Sequence, residues 1–102
     1  MARLIVSDEA RSDISAILMY FRSEAGSAVA LEYSDGFDRA ADLLAQFPGM
    51  GTPRPELGGD ARCVMVRPYI LIYDHRTGDD SVTLLRVVHG RRNITIDLIR
   101  RC

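Results

Sequence analysis

The strongest constraint on the fold of this chain is a β-hairpin pattern in its last third. Two apolar runs, residues 69–75 and 82–88, are rich in Ile, Val, Leu and Tyr, and they flank a polar turn at 77–80. Runs of this composition on either side of a short Gly-containing turn pair as antiparallel strands. Both residue sets of the strand 69–73 are apolar, so we predict that it lies in the middle of the sheet.

Two amphipathic helices are predicted ahead of this hairpin. Apolar residues recur every three or four positions over about 8–25 and again over about 27–47. Gly26 ends the first helix, and Ser27 can cap the second. Because about two residues join them, the helices must fold back on each other as an antiparallel pair.

The remaining segments complete an α+β fold in a single domain, 1–102. A short strand is predicted at 3–6 and another at 61–66, after a loop at 48–60 that holds three of the four prolines and four of the eight glycines. The tail, 93–102, fits a short helix capped by Asn93, although its β-branched residues lower helix propensity. The predicted order is β-α-α-β-β-β, with the helical hairpin covering one face of an antiparallel sheet.

Composition indicates a cytoplasmic protein without a membrane span. No apolar run approaches the roughly 20 residues that a spanning helix needs. The N-terminus reaches Asp8 and Glu9 too early for a signal peptide. Only Cys63 and Cys102 are present, too few for a disulfide framework, which favours a reducing compartment.

The charge of the chain is unevenly distributed. Residues 1–60 hold five Arg against ten Asp and Glu, a net charge of −5, whereas residues 61–102 hold eight Arg against four Asp, a net charge of +4. We therefore expect the sheet half to be the docking surface for an acidic partner or a nucleic acid. All 13 basic residues are Arg, so a site that needs a deprotonatable lysine is excluded.

Metal and cofactor sites are not predicted. His75 and His89 are the only histidines, and neither stands in a metal-ligand pattern with Cys or carboxylates. His75 borders the hairpin turn and is expected to be solvated. The glycines at 49 and 51 are not followed by a helix start, so they do not form a phosphate-binding loop.

The candidate partner-binding residues form a cationic set in the sheet half. They are Arg67, Arg86, His89, Arg91 and Arg92. Arg91 and Arg92 follow Gly90 in a predicted turn, which makes them exposed and the best candidates for partner contact. His89 can act either as a general base near neutral pH or as a structural hydrogen-bonding group.

Arg86 has a different expected role. Alternation along its strand places Arg86 on one face with Val82, Leu84 and Val88. An unpaired charge on such an apolar face is costly, so Arg86 should lie at the sheet rim or meet a carboxylate from the acidic helices. We favour this structural pairing over direct contact with a ligand.

Three segments of the chain resemble the ParE branch of the ParE/RelE family of bacterial toxins. They are the helix end QFPGMG at 46–51, the strand YILIY at 69–73, and the strand and turn LRVVHGRR at 85–92. The resemblance covers nearly the whole chain. It implies the toxin of a type II toxin–antitoxin pair that inhibits DNA gyrase by binding, has no catalytic set, and is neutralised by a cognate ParD-like antitoxin in a hetero-oligomer.

Two alternatives stay open. RelE-like members of the family cleave messenger RNA on the ribosome, and in this reading His89, Arg91 and Arg92 would be the catalytic set. Ile70 stands where that branch commonly has an arginine, and no tyrosine follows Arg92, so the set is partial. The third possibility is a family member that still binds its antitoxin but has lost its toxicity.

Overall fold

A computed structural model of the chain describes residues 1–92 and 94–99. Its elements, in chain order, are β1 (Arg3–Val6), α1 (Asp8–Ala25), α2 (Ser27–Gln46), β2 (Thr52–Pro53), a 3-10 turn (Pro55–Leu57), β3 (Ala61–Val66), β4 (Tyr69–Arg76), β5 (Ser81–His89) and α3 (Ile96–Ile99). The predicted α+β fold, with its helical hairpin and four main strands, is confirmed. The short strand β2 and the 3-10 turn were not predicted.

The sheet has the strand order β1-β5-β4-β3-β2, so β4 lies in the middle as predicted. β3, β4 and β5 are antiparallel, also as predicted. β1 differs, because it pairs with β5 in parallel and makes the sheet mixed. A parallel pair needs a long connection, and here the helical hairpin and the strands β2 to β4 supply it.

The helical hairpin turns on a single glycine. The Ser7 hydroxyl accepts a hydrogen bond from the Ala10 N–H at 3.0 Å and so caps the start of α1. Gly26, at φ 96°, ends α1 and is also the residue before α2. The predicted Ser27 cap is therefore wrong: Ser27 is the first residue of α2, and no side-chain hydrogen bond caps that helix.

Both faces of the sheet are covered. The cluster between the helices and the sheet contains Ala2, Ala10, Phe37, Leu44, Tyr69, Leu71, Tyr73, Val82, Leu84 and Val87. The outer cluster, beneath the 3-10 turn and α3, contains Leu57, Ala61, Ile72, Val88 and Ile99. Partly buried Phe21 packs against the first cluster, and Ile94 and Leu98 pack against the second. The predicted Asn93 cap lies outside the described residues.

A β-bulge changes which face each β5 residue occupies. Ile72 pairs with Arg86 and Tyr73 pairs with Leu84, which leaves Leu85 as an extra residue. Leu84 packs under the helices, whereas Val88 belongs to the outer cluster. The predicted face of Arg86, shared with Val82, Leu84 and Val88, is therefore wrong, since regular alternation does not continue through a bulge.

Neither long helix within the described part of the chain has the apolar character that a membrane crossing requires.

Candidate partner-binding site

Arg86 forms a half-buried ion pair with Asp13 of α1. Its Nε lies 2.6 Å from Asp13 Oδ2 and its Nη2 lies 3.0 Å from Oδ1, so the contact is bidentate. The two side chains are only 13% and 17% exposed. The hydrogen bond to Asp13 raises the pKa of Arg86 above its ordinary value. The predicted structural pairing is thus observed, and a partner-binding role for Arg86 stays a prediction.

The same carboxylate also accepts a hydrogen bond from the unpaired edge of β5. The last paired residue of β1 is Val6, opposite Leu84, so the rest of β5 has no neighbouring strand on this side among the described residues. The Ser7 hydroxyl donates to the Leu85 carbonyl at 2.9 Å, and the Val87 N–H donates to Asp13 Oδ2 at 3.0 Å. Polar groups at the start of α1 therefore satisfy backbone groups that an edge strand would otherwise leave unpaired.

Arg86 also connects this edge to the C-terminal helix. Its Nη1 donates to the Leu98 carbonyl of α3 at 2.9 Å. α1, β5 and α3 thus meet at one guanidinium. Sequence reasoning anticipated a carboxylate partner from the acidic helices, but no local pattern distinguishes Asp13 from the other acidic residues there.

The end of β5 meets the turn between β3 and β4. The Gly90 N–H donates to the Pro68 carbonyl at 2.9 Å. A Cβ at Gly90 would lie 3.2 Å from that carbonyl, so the close approach favours glycine. The rings of Tyr69 and His89 meet edge to face, with centroids 5.7 Å apart. These contacts bring Arg67, which precedes Pro68, to the same end of the sheet as His89.

His89 is exposed, and one of its ring nitrogens is engaged by the turn that follows. The Arg91 N–H donates to His89 Nδ1 at 3.1 Å, and the Arg92 N–H donates to the His89 carbonyl at 2.9 Å. A nitrogen that accepts a hydrogen bond uses its lone pair, so the neutral ring carries its proton on Nε2. Nε2 is then a donor, and it cannot abstract a proton while this arrangement holds.

The three other candidate arginines are exposed. Among the residues that the structure describes, none of Arg67, Arg91 and Arg92 forms an ion pair. Arg92 faces a cavity of about 420 Å³ that it shares with Asp8 and Glu9 at the start of α1. The five candidates therefore divide: Arg67, His89 and Arg91 lie at the sheet end, Arg92 is at the α1 cavity, and Arg86 is held in its ion pair.

Sequence reasoning missed an open cleft beside His89. This aromatic cleft, about 540 Å³, lies between the helical hairpin and the sheet end, and its walls include Ala16, Tyr20, Phe21, Tyr33, Tyr69 and His89. Phe21 and Tyr33 stack with their centroids 4.1 Å apart. Phe21 and Tyr33 belong to the apolar positions that recur along the two helices. Only Tyr20, an exposed aromatic side chain outside the apolar stripe of α1, is a sequence signal of the cleft.

His75 differs from its predicted solvated state. Its side chain is 18% exposed, and Nε2 lies 3.7 Å from Asp80 Oδ1 without a hydrogen-bond partner among the described residues. Within residues 1–92 and 94–99, no group of three or more His, Cys, Asp and Glu side chains is arranged to hold a metal ion.

Comparisons with known proteins agree on the family. Residues 4–94 match the profile of the family described as "ParE toxin of type II toxin-antitoxin system, parDE". The chain is 26% identical over 98 residues to Toxin ParE3 of Caulobacter vibrioides, and the alignment covers 96% of each protein. Its fold resembles the solved structure "Chromosomal ParDE TA system from P. aeruginosa", with a TM-score of 0.72, 21% identity, and coverage of 87% of this chain and 96% of that one. Since the family match extends over most of its length, this protein belongs to the ParE toxin family of type II toxin–antitoxin systems, and an antitoxin is its partner.

Proposed function

We propose that this ParE-family toxin arrests growth in the cytoplasm by binding DNA gyrase, and that its antitoxin neutralises it by binding the toxin. The observation that carries the proposal is the turn after β5. Arg91 and Arg92 are exposed there and form no ion pair within the described residues. Unpaired guanidinium groups on a turn suit recognition of a large acidic or polar surface.

The geometry of His89 favours a binding inhibitor over a ribonuclease. Attack by a ribose 2′-hydroxyl needs a base, an acid and stabilisation of the developing charge. The exposed arginines offer charge stabilisation. His89 is poorly placed to be the base, because its Nδ1 accepts a backbone N–H and its Nε2 is then a donor.

Two assays run in parallel test the proposal. Purified toxin is added to DNA gyrase in a supercoiling assay, and to ribosomes translating a defined messenger RNA. We expect inhibition of supercoiling and an intact message. Ribosome-dependent cleavage without inhibition of gyrase would overturn the proposal in favour of the RelE-like alternative. A toxin that is inactive in both assays, yet still binds its antitoxin, would be the member that has lost toxicity.

A further inference from the structure

Three hydrogen-bond acceptors at the sheet end are used within the protein. The Pro68 carbonyl accepts the Gly90 N–H at 2.9 Å, and the His89 carbonyl accepts the Arg92 N–H at 2.9 Å. The third acceptor is His89 Nδ1, which accepts the Arg91 N–H at 3.1 Å. These acceptors are therefore already engaged when a partner approaches the turn after β5.

The side-chain donors at the same end are free within the described residues. Arg67 and Arg91 are exposed, and neither forms an ion pair there. A guanidinium offers five N–H donors and no acceptor, and His89 Nε2 adds one more donor. We call these three groups the sheet-end donors. Each arginine is next in sequence to a residue of the hydrogen bond between Pro68 and Gly90, so the donors are grouped at one place. They suit a partner surface that is made of acceptors.

We infer that the sheet-end donors bind the phosphate backbone of the duplex DNA that gyrase holds. A duplex offers phosphate acceptors and one negative charge per roughly 1.7 Å of its axis, so two guanidinium groups can meet phosphates without reading a base sequence. A folded protein surface presents donors together with acceptors, and donors that faced the sheet-end donors would be left unsatisfied. The inference rests on the gyrase part of the proposed function and names the surface that the arginines contact.

Arg92 is not one of the sheet-end donors because of its surroundings. It lines the α1 cavity with Asp8 and Glu9, which are exposed carboxylates. Negative charges beside a guanidinium oppose the approach of a phosphate. Arg67 shares a small cavity with Glu32, without an ion pair between them. We therefore expect Arg92 to contribute less than Arg67, and Glu32→Gln to strengthen the contact with DNA.

The affinity of the toxin for gyrase with and without DNA tests the inference on the wild-type protein. Purified toxin is titrated onto immobilised DNA gyrase, before and after the enzyme is saturated with a DNA duplex. We expect bound DNA to raise the affinity by at least about tenfold near 0.15 M salt, and we call this ratio the DNA-dependent gain. The gain should fall by about tenfold between about 0.05 and 0.2 M salt, as two phosphate contacts predict.

The outcomes of this titration separate the inference from the proposed function. An affinity that DNA leaves unchanged or lowers, with supercoiling still inhibited, would overturn the inference and leave the proposed function intact. A toxin that neither binds gyrase nor inhibits it, with DNA or without, would overturn both.

Charge variants assign the gain to named side chains. We expect Arg67→Gln and Arg91→Gln each to lower the DNA-dependent gain by about fivefold, and to flatten the logarithmic salt slope by about 0.9, because each removes one phosphate contact. Arg92→Gln should lower the gain less. Arg91→Lys should keep most of it, since an ammonium binds phosphate as a point charge.

Arg39→Gln, an exposed substitution on α2, is the control and should keep the full gain. Circular dichroism checks that each variant is folded. If the Gln variants of Arg67 and Arg91 lost affinity equally with and without DNA, these arginines would contact an acidic protein surface of gyrase, and the inference would be overturned. A gain that matches wild type in both variants would overturn it as well.

Discussion

Asp13 and Arg86 illustrate how one side-chain pair can connect three elements. The carboxylate accepts from the guanidinium and from the Val87 N–H, and the guanidinium also donates to the Leu98 carbonyl. Removing either partner leaves a half-buried charge without its counterion. Because a charge left buried without its counterion is costly, removing either partner alone should destabilise the fold.

We predict that Arg86→Ala and Asp13→Ala each lower the free energy of unfolding by about 2–3 kcal/mol. Arg86→Lys should be intermediate, since an ammonium keeps the charge but cannot make the bidentate contact. Urea denaturation monitored by circular dichroism measures the loss. Arg11→Ala, an exposed substitution on α1, is the control and should change the free energy by less than about 0.5 kcal/mol. If the free energy of unfolding of Arg86→Ala equalled that of the Arg11→Ala control, the prediction would be contradicted.

The turn arginines should matter for toxicity and little for stability. We expect the double substitution Arg91→Ala with Arg92→Ala to weaken inhibition of gyrase supercoiling by about tenfold or more. Its thermal unfolding should match wild type, because exposed turn side chains contribute little to folding. Replacing Arg39 and Arg22, exposed arginines on α2 and α1, by Ala is the control for loss of two charges. Full inhibition by the turn variant would move the gyrase contact elsewhere.

His89→Ala separates the two mechanisms. In a gyrase binder it should have a modest effect, since no proton is transferred. In a ribonuclease that uses His89 as its base, cleavage should fall by roughly 10²–10⁴-fold. Both assays are run on the same folded variant. Messenger RNA cleavage by the wild type that disappears in this variant would establish the RelE-like alternative.

At the scale of elements, one buried hydroxyl bonds to both sides of the turn that follows α2. Tyr73 Oη donates to the Pro48 carbonyl at 2.7 Å and accepts from the Gly51 N–H at 2.9 Å. A Cβ at Gly51 would lie 2.6 Å from this oxygen, so the approach requires glycine. We predict that Tyr73→Phe costs about 1–3 kcal/mol of stability, because it removes the hydrogen-bond partner of the buried Gly51 N–H and of the part-buried Pro48 carbonyl. Tyr20→Phe, which removes the hydroxyl of an exposed tyrosine, is the control.

The same hydroxyl gives a pH dependence. Burial raises the pKa of Tyr73 above its ordinary value. Below the unfolded pKa of about 10 the phenol is protonated in both states, and its full contribution is present. As the pH rises further, the unfolded state ionises first and stability is lost. Denaturation above about pH 10 should therefore show a shallower loss for Tyr73→Phe than for wild type. Burial also raises the pKa of Tyr69, so part of the dependence should remain.

The helices and main strands were predictable because hydrophobic period is a local property of sequence. The period changes from helical to strand spacing across the loop at 48–60, and the bounds of α1 and β4 follow from it. The bulge at Leu85 was not predictable, since it depends on which β4 residue lies opposite. β2 was not predictable either, because its two residues are too few for a strand periodicity. It is a strand through its pairing with Arg62 and Cys63.

The candidate site was predictable only in part. The run of residues 85–92 predicted a cationic cluster at the end of β5. The cost of burying an unpaired charge predicted a carboxylate partner for Arg86. The cleft depends on how α1 packs over the sheet end, which places Tyr20 and Tyr69 in one wall. These two residues are 49 positions apart, and no local pattern in a single sequence indicates that they will be neighbours.

At the scale of the whole molecule, the uneven charge predicts a salt-sensitive complex. Residues 1–60 carry −5 and residues 61–102 carry +4, so an acidic partner segment that docks on the sheet half would gain from long-range attraction. We expect affinity for the antitoxin to fall as ionic strength rises from about 0.05 to 0.5 M, because the Debye length shortens over this range. Arg67→Ala should flatten the dependence and Arg39→Ala should not. An affinity independent of salt would argue against an electrostatic share in the contact.

The parallel pairing of β1 with β5 affects when the toxin can complete its fold during synthesis. Arg3 is paired with Ser81, so the first strand to leave the ribosome waits for the last strand of the sheet before it can be paired. Contacts so distant in sequence form slowly, and synthesis delays them further. A nascent or truncated chain that lacks β5 has no Arg86 to meet Asp13 and no turn to carry Arg91. Under the proposed function, we therefore expect a chain that stops before β5 to be inactive.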